Sequence, residues 1–243
     1  MKKEMIESKQ NPLVKEAIKL KQKKYRLLNN SFLVEGEHLV KEAYDKGLID
    51  KVFYVDDFKL KDVEAYLVSK EVMEVMTGVL SNQGVLAICK YPENTVDFNR
   101  VLLLDNLQDP GNMGTLIRSA VAFGFETIVA ENSVDFFNEK VIRATQGAIF
   151  KVNLISDNLR DFINQNRQIT FYTTDLKSNN RLEDLVLQDK LIGVILGNEG
   201  SGVRQDLIDL VGKSFKLEIK NMESLNVGVA GSIIMYEISK RSV

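Results

Sequence analysis

The chain has 243 residues, 44% of them apolar and 27% charged, and carries a net charge of −2. That composition supports one or two globular domains with a sizeable core; no apolar run approaches the ~20 residues needed to cross a bilayer, and no signal-peptide core follows Met1, Lys2, Lys3 and Glu4, so a cytoplasmic location without membrane contact is expected. The single cysteine, Cys89, sits in the apolar run Val85, Leu86, Ala87, Ile88 and reads as a buried thiol; the single histidine, His38, leaves no cluster for a metal.

Charge is unevenly spread. Residues 1–26 hold nine Lys or Arg (Lys2, Lys3, Lys9, Lys15, Lys19, Lys21, Lys23, Lys24, Arg26) against Glu4, Glu7 and Glu16, which leaves the rest of the chain acidic. From Pro12 to about Leu28, Leu13, Val14, Ala17, Ile18 and Leu20 recur at helical spacing, so these cations decorate one amphipathic helix. That pattern suits a solvated face and equally an arm that follows RNA phosphates, for which Lys15, Lys19, Lys23, Lys24 and Arg26 are the candidates. A strand at Phe32–Glu35, a helix at Glu37–Lys46 and a strand at Lys51–Val55 follow. Lys59–Leu80 reads as mainly helical with a short strand near Tyr66–Val68, and a strand at Gly84–Lys90 completes a small α/β domain. The polar stretch Glu93–Asn99 is the linker candidate, giving domains at 1–94 and 99–243.

The second block alternates more regularly. Strands are expected at Val101–Leu107, Thr127–Ala130, Lys151–Ile155, Ile169–Thr174, Leu191–Leu196 and Ser214–Lys220; helices at Asn112–Phe123, Asn138–Ile149, Leu159–Asn166, Val203–Val211 and Ser224–Lys240. Strands almost continuous in Val, Ile and Leu suit a parallel sheet covered on both faces, hence a doubly wound α/β domain.

In such a sheet ligands bind beyond the carboxyl ends of the strands. Three loops are placed there: Asp105–Gly114, leading into a helix that carries Arg118; Gly197–Gly202, with three glycines and Glu199; and Lys220–Asn226, leading into a helix that contains Gly228 and Gly231. Singly, each also reads as turn chemistry. The second is neither a P-loop, because no Lys-Ser or Lys-Thr follows the glycines, nor a G-x-G-x-x-G turn. Glycines inside a helix cost ~1 kcal/mol each relative to alanine, so Gly228 and Gly231 imply close approach of another backbone or of a ligand.

Together, Asn112-x-Gly114-x-x-x-Arg118, Leu196-Gly197-Asn198-Glu199-Gly200-x-Gly202 and Glu223-Ser224-Leu225-Asn226-Val227 resemble the three motifs of the SpoU (TrmH-like) ribose methyltransferases of the SPOUT superfamily. Phe32–Glu37 is similar to the substrate-binding domain that many members place first, and Val141–Ala148 adds a weaker similarity. The resemblance implies an α/β fold with a deep trefoil knot at its C-terminal end, a homodimer through that region, S-adenosyl-L-methionine as cofactor, and RNA, ribosomal in particular, as partner. It implies catalytic roles for Arg118, Asn112, Glu199, Ser224 and Asn226, with Arg118 also contacting RNA. Cofactor contacts are implied for Leu196, Gly197, Gly202, Leu217, Ile219, Leu225 and Asn226. One departure stands out: the family's Ile-Pro-Met segment is replaced by Ile219, Lys220, Asn221, Met222, Glu223, which shortens the loop expected to wrap the adenine.

Arg118 is a permanent cation, so binding a phosphate or stabilising a developing alkoxide suits it better than removing a proton. Ser224 and Asn226, at an expected helix start, could instead be caps. Methylation of transfer RNA, methylation of a nucleobase, and a non-catalytic RNA-binding or assembly role remain alternatives at this point.

Overall fold

A computed structural model of the chain describes residues 5–79, 82–94, 98–185 and 191–241. The chain divides into two compact units, Met1–Glu93 with Phe137–Phe150, and Asn94–Phe136 with Lys151–Val243.

In the first unit the chain runs α1 (Pro12–Lys19), α2 (Lys23–Asn29), β1 (Ser31–Glu35), α3 (Glu37–Asp45), β2 (Ile49–Tyr54), β3 (Glu64–Leu67), α4 (Lys70–Thr77) and β4 (Val85–Lys90). The sheet order is β1-β4-β2-β3, with β4 antiparallel to both neighbours and β3 parallel to β2. Val14, Ala17 and Leu20 of the first helical stretch pack with Phe53, Val72, Met73, Met76 and Ile88 into a buried core, each large side chain contributing ~1.5–3 kcal/mol. Cys89 lies in this buried strand, and burial raises its thiol pKa.

Two expectations need correction here. The single helix expected from Pro12 to Leu28 is broken at Leu20–Gln22, because the Arg26 guanidinium donates to the Leu20 and Lys21 carbonyls at 2.9 and 2.8 Å and satisfies acceptors at the end of α1. Among the described residues of the stretch expected to be mainly helical from 59 to 80, only Lys70–Thr77 is helical, started by Ser69, whose side chain accepts from the Val72 N–H, and stopped by Gly78 in the left-handed region; Leu80 lies outside the described residues.

The second unit continues with β5 (Arg100–Asp105), α5 (Pro110–Ala122), β6 (Thr127–Glu131), α6 (Glu139–Thr145), β7 (Asn153–Ser156), α7 (Leu159–Gln165), β8 (Thr170–Thr174), β9 (Ile192–Leu196), α8 (Gln205–Val211), β10 (Ser214–Phe215) and α9 (Val227–Arg241), of which α6 belongs to the first unit. The sheet order is β10-β8-β9-β5-β6-β7, every pair parallel. Val101, Leu103 and Ile195 pack beneath Leu159, Phe162 and Leu207, and the interior of β5, Val101–Leu104, and the whole of β9 are buried. Chain order advances from β5 outward through β6 and β7 on one side and returns on the other, so β5 and β9 flank the topological switch point, the position at which open α/β sheets bind ligands beyond the carboxyl ends of their strands.

The expected strand Ser214–Lys220 ends at Phe215. Beyond it the Lys216 amide donates to Asn180 and the Lys216 carbonyl accepts from Leu182, so the chain pairs with a different segment and leaves the sheet. The helix expected over Asn138–Ile149 stops at Thr145, since Gln146 and Gly147 both adopt positive φ, and a 3-10 turn follows at Ala148–Phe150. That excursion packs within the first unit: Phe137 lies against the rings of Phe32 and Tyr91, and Arg143 pairs with Glu35 at 3.0 Å. Among the described residues, no helix is long and apolar enough to cross a membrane.

Candidate active site

The site grows from the ends of β5 and β9 in the second unit and from the segment that leads into α9, which follows the early end of β10 at Phe215 and so is not the strand-end loop expected. β5 and β9 run in register, with Leu104 opposite Leu196, so the loops that begin at Asp105 and Gly197 start side by side. After β5, Asp109 caps α5 by accepting from the Asn112 N–H at 2.7 Å, and Pro110 occupies the first helical turn, where a missing N–H costs nothing. α5 therefore begins two residues before the expected start, and Asn112 sits in its first turn.

After β9, the loop folds back on itself through reciprocal backbone hydrogen bonds between Asn198 and Gly202. The Asn198 side chain accepts from the Gly200 N–H at 2.9 Å and donates to the Asn106 carbonyl at 2.9 Å, which ties this loop to the one after β5. Gly197 is required by space: a Cβ there would lie 2.0 Å from the Gly202 backbone carbon.

Asn112 joins all three loops. Its Nδ2 donates to Glu199 Oε1 at 3.0 Å, and its Oδ1 accepts from Asn226 Nδ2 at 2.9 Å. Asn226 also caps α9, since its Oδ1 accepts from the Val229 N–H at 3.2 Å. The helix expected from Ser224 thus starts at Val227; Ser224 is exposed and has no hydrogen-bond partner among the described residues. Leu225 is also exposed, while Leu217 and Ile219 are half-buried.

α9 lies against α5 because its glycines leave room. A Cβ on Gly231 would come within 2.4 Å of Leu116 and 2.6 Å of Leu196, and one on Gly228 within 3.3 Å of Asn112 and Thr115. Leu196 therefore commits its side chain to this packing, and the hydroxyls of Ser119 and Ser232 bond across the pair at 2.6 Å. Arg118 projects from α5 as an exposed side chain with no hydrogen-bond or ion-pair partner among the described residues.

Beneath the loops lies a charged cluster to which sequence reasoning gave no role. Asp105 and Glu131 end β5 and β6 as register partners, and Arg204, just after the glycine-rich loop, reaches both, at 2.9 and 2.6 Å. Its backbone N–H also donates to Asp105 Oδ2 at 2.9 Å. The Nε–Oδ1 approach is an ion pair without an aligned hydrogen bond. Burial pushes the Asp105 carboxyl pKa up, opposed by the hydrogen bond and positive charge of Arg204. A carboxylate closing an apolar strand and an arginine closing a glycine loop were the available signals.

Residues 99–236 match the SpoU rRNA Methylase family, and residues 11–87 match the MRM3-like substrate binding domain. The chain belongs to the SpoU rRNA methylase family. A 23S rRNA (guanosine(2553)-2'-O)-methyltransferase of Bacillus subtilis strain 168, RlmP, is 33% identical, with 96% of this chain and 98% of that protein aligned. A solved rRNA methyltransferase from Sinorhizobium meliloti superposes with TM-score 0.88 at 26% identity, covering 99% of this chain and 98% of that one. Its AdoMet-bound form superposes at 0.86, at 26% identity over 98% and 97%.

Against this SpoU framework, the remaining candidates lie in the first unit. Lys15, Lys19, Lys23 and Lys24 are exposed there. Arg26 is not available to phosphates: it is 3% exposed, and its guanidinium is spent on the carbonyls that end α1. Among the described residues, no group of three or more His, Cys, Asp or Glu side chains could hold a metal ion.

Proposed function

We infer that this SpoU-family chain transfers a methyl group from S-adenosyl-L-methionine to a ribose 2′-hydroxyl of ribosomal RNA. The observation that carries the reading is the junction at Asn112, through which the loops after β5 and β9 and the segment leading into α9 are hydrogen-bonded into one cluster at the sheet's switch point. The AdoMet-bound S. meliloti neighbour and the rRNA 2'-O-methyltransferase relative in B. subtilis support it.

The site fits this cofactor. In the turn Gly197–Gly202, Gly202 is at positive φ with open space where its Cβ would be, so an elongated polar ligand can approach the turn closely on that side. Backbone groups at Leu196, Gly197, Gly202, Leu217, Ile219, Leu225 and Asn226 would hold it. When bound, its sulfonium supplies a methyl already activated for transfer to oxygen. The residues of the chain then have to position the acceptor, and holding a 2′-oxygen in line supplies on the order of 7–11 kcal/mol of the barrier. Arg118, a permanent donor, binds the neighbouring phosphate or the developing alkoxide; Asn112 and Glu199 orient the cluster, with Ser224 and Asn226 at its rim.

In this reading residues 1–94 deliver RNA and 99–243 carry out transfer, in the cytoplasm. The C-terminal segment forms the trefoil knot, and α9 forms a homodimer interface, for which the exposed stripe Val229, Ile233, Tyr236 at helical spacing is the support. The decisive experiment incubates the protein with ribosomal RNA from cells lacking it and with S-adenosylmethionine, then maps linkages resistant to alkali. A single protected linkage is expected. A modified base beside a normally cleaved linkage, or calorimetry showing no cofactor binding while RNA still binds, would overturn the assignment.

A further inference from the structure

On α2, Leu27 and Leu28 are 61% and 73% exposed, side by side in a stretch whose other exposed residues are lysines and amides. Just before them the half-buried ring of Tyr25 has the Lys19 and Lys24 ammonium groups 5.7 and 5.8 Å from its centroid. This corner is held from inside. Arg26 fastens α2 to the last turn of α1, and Asn30, in the left-handed conformation, ends α2 at once. The outward side chains therefore stand on a fixed backbone, with Lys15 and Lys19 one turn apart on α1.

Cations alone suit any nucleic acid, but apolar and aromatic groups among them do not. In a duplex the base faces are stacked and out of reach, so the leucines and the ring would meet nothing to bury against. An unpaired base offers a flat apolar face, and its flanking phosphates match the lysines. A peptide partner that covered the leucines would have to desolvate the lysines beside them.

We propose that the α1–α2 corner binds single-stranded RNA, with an unpaired base against Tyr25, Leu27 and Leu28 and its phosphates on Lys15, Lys19, Lys23 and Lys24. The proposal rests on the reading that the substrate is RNA, and assigns its recognised segment to a loop or other unpaired stretch.

The test measures binding of the full chain to a labelled oligoadenylate strand and to a blunt RNA duplex of equal length, over a salt series. Tyr25→Ala and the double variant Leu27→Ser/Leu28→Ser should each weaken single-strand binding roughly five- to a hundred-fold, the loss of about one stacked base. The salt slope and duplex binding should stay unchanged, and Tyr25→Phe should bind as the wild type does. Thermal unfolding checks that each variant is folded. Wild-type single-strand affinity in both the Tyr25→Ala and the double variants, or an equal loss on the duplex, overturns the proposal even where ribosomal RNA is methylated normally. A wild-type chain that binds neither RNA and methylates none overturns the underlying RNA reading as well.

Discussion

The Arg204 guanidinium lies 2.9 Å from the carboxylate of Asp105, which is 1% exposed at the end of β5. The loop that carries Gly197 and Glu199 is thus anchored at its far end by an ion pair to the end of β5. Removing one member of a buried pair costs ~3–5 kcal/mol; with the Arg204 side chain 39% exposed, Arg204→Ala should cost about 1–3 kcal/mol. The defect should depend on pH with a definite sign. Without Arg204 the folded-state pKa of Asp105 rises further above its unfolded value, so the folded state binds the proton more tightly and stability recovers as pH falls through the carboxyl range. Thermal unfolding at neutral and mildly acidic pH checks this: the gap from wild type should narrow on acidification.

Asn112 makes one bond in each direction across the junction, to Glu199 and from Asn226. At about 1 kcal/mol per bond, Asn112→Ala should lower kcat/KM roughly thirtyfold. Asn112→Asp should do worse at neutral pH, because it sets a second carboxylate against Glu199. Steady-state methylation assays of both variants settle the order.

Arg118 has no partner among the described residues and contributes to no core. Arg118→Ala should therefore retain the wild-type melting temperature and calorimetric affinity for S-adenosylmethionine while losing methyl transfer. Wild-type turnover would remove Arg118 from the mechanism.

The two tight glycines should fail differently. At Gly231 the atoms in the way are leucine methyls, so Gly231→Ala should cost about 1–3 kcal/mol of overpacking and leave a folded protein. At Gly197 the obstruction is the Gly202–Val203 backbone itself, so Gly197→Ala should displace the loop and abolish cofactor binding. Calorimetry on both variants distinguishes the cases.

Much of this site could be read from residue types alone. β5 and β9 declare themselves through runs of Val, Ile and Leu, interrupted in β9 by Gly193 alone, and the loops after them through Asn112, Gly197 and Glu199, because both depend on local sequence. What escaped depends on which way a side chain turns, or on distant partners. The break between α1 and α2 is made by Arg26 turning inward, although its sequence setting is indistinguishable from that of the lysines around it. The early end of β10 reflects pairing of Lys216 with Asn180 and Leu182, and the Arg204 cluster joins residues far apart in the chain. Of the two caps expected for α9, Ser224 and Asn226, the one used is Asn226, whose amide also meets Asn112, a choice made by tertiary contact.

If α9 is the self-association surface, Ile233→Glu should place a charge in the middle of it and yield monomers. Light scattering on the eluted peak measures this, and an unchanged mass would move the interface elsewhere.

The excursion at Phe137–Phe150 bears on how such proteins can be recombined. Phe137, Ile142, Ile149 and Phe150 are buried, and they complete a unit whose other strands and helices are encoded before residue 94. A chimera that exchanges only the first 93 residues would inherit a foreign plug for that core. Transplanting the first unit between homologues therefore takes two simultaneous grafts, one terminal and one internal.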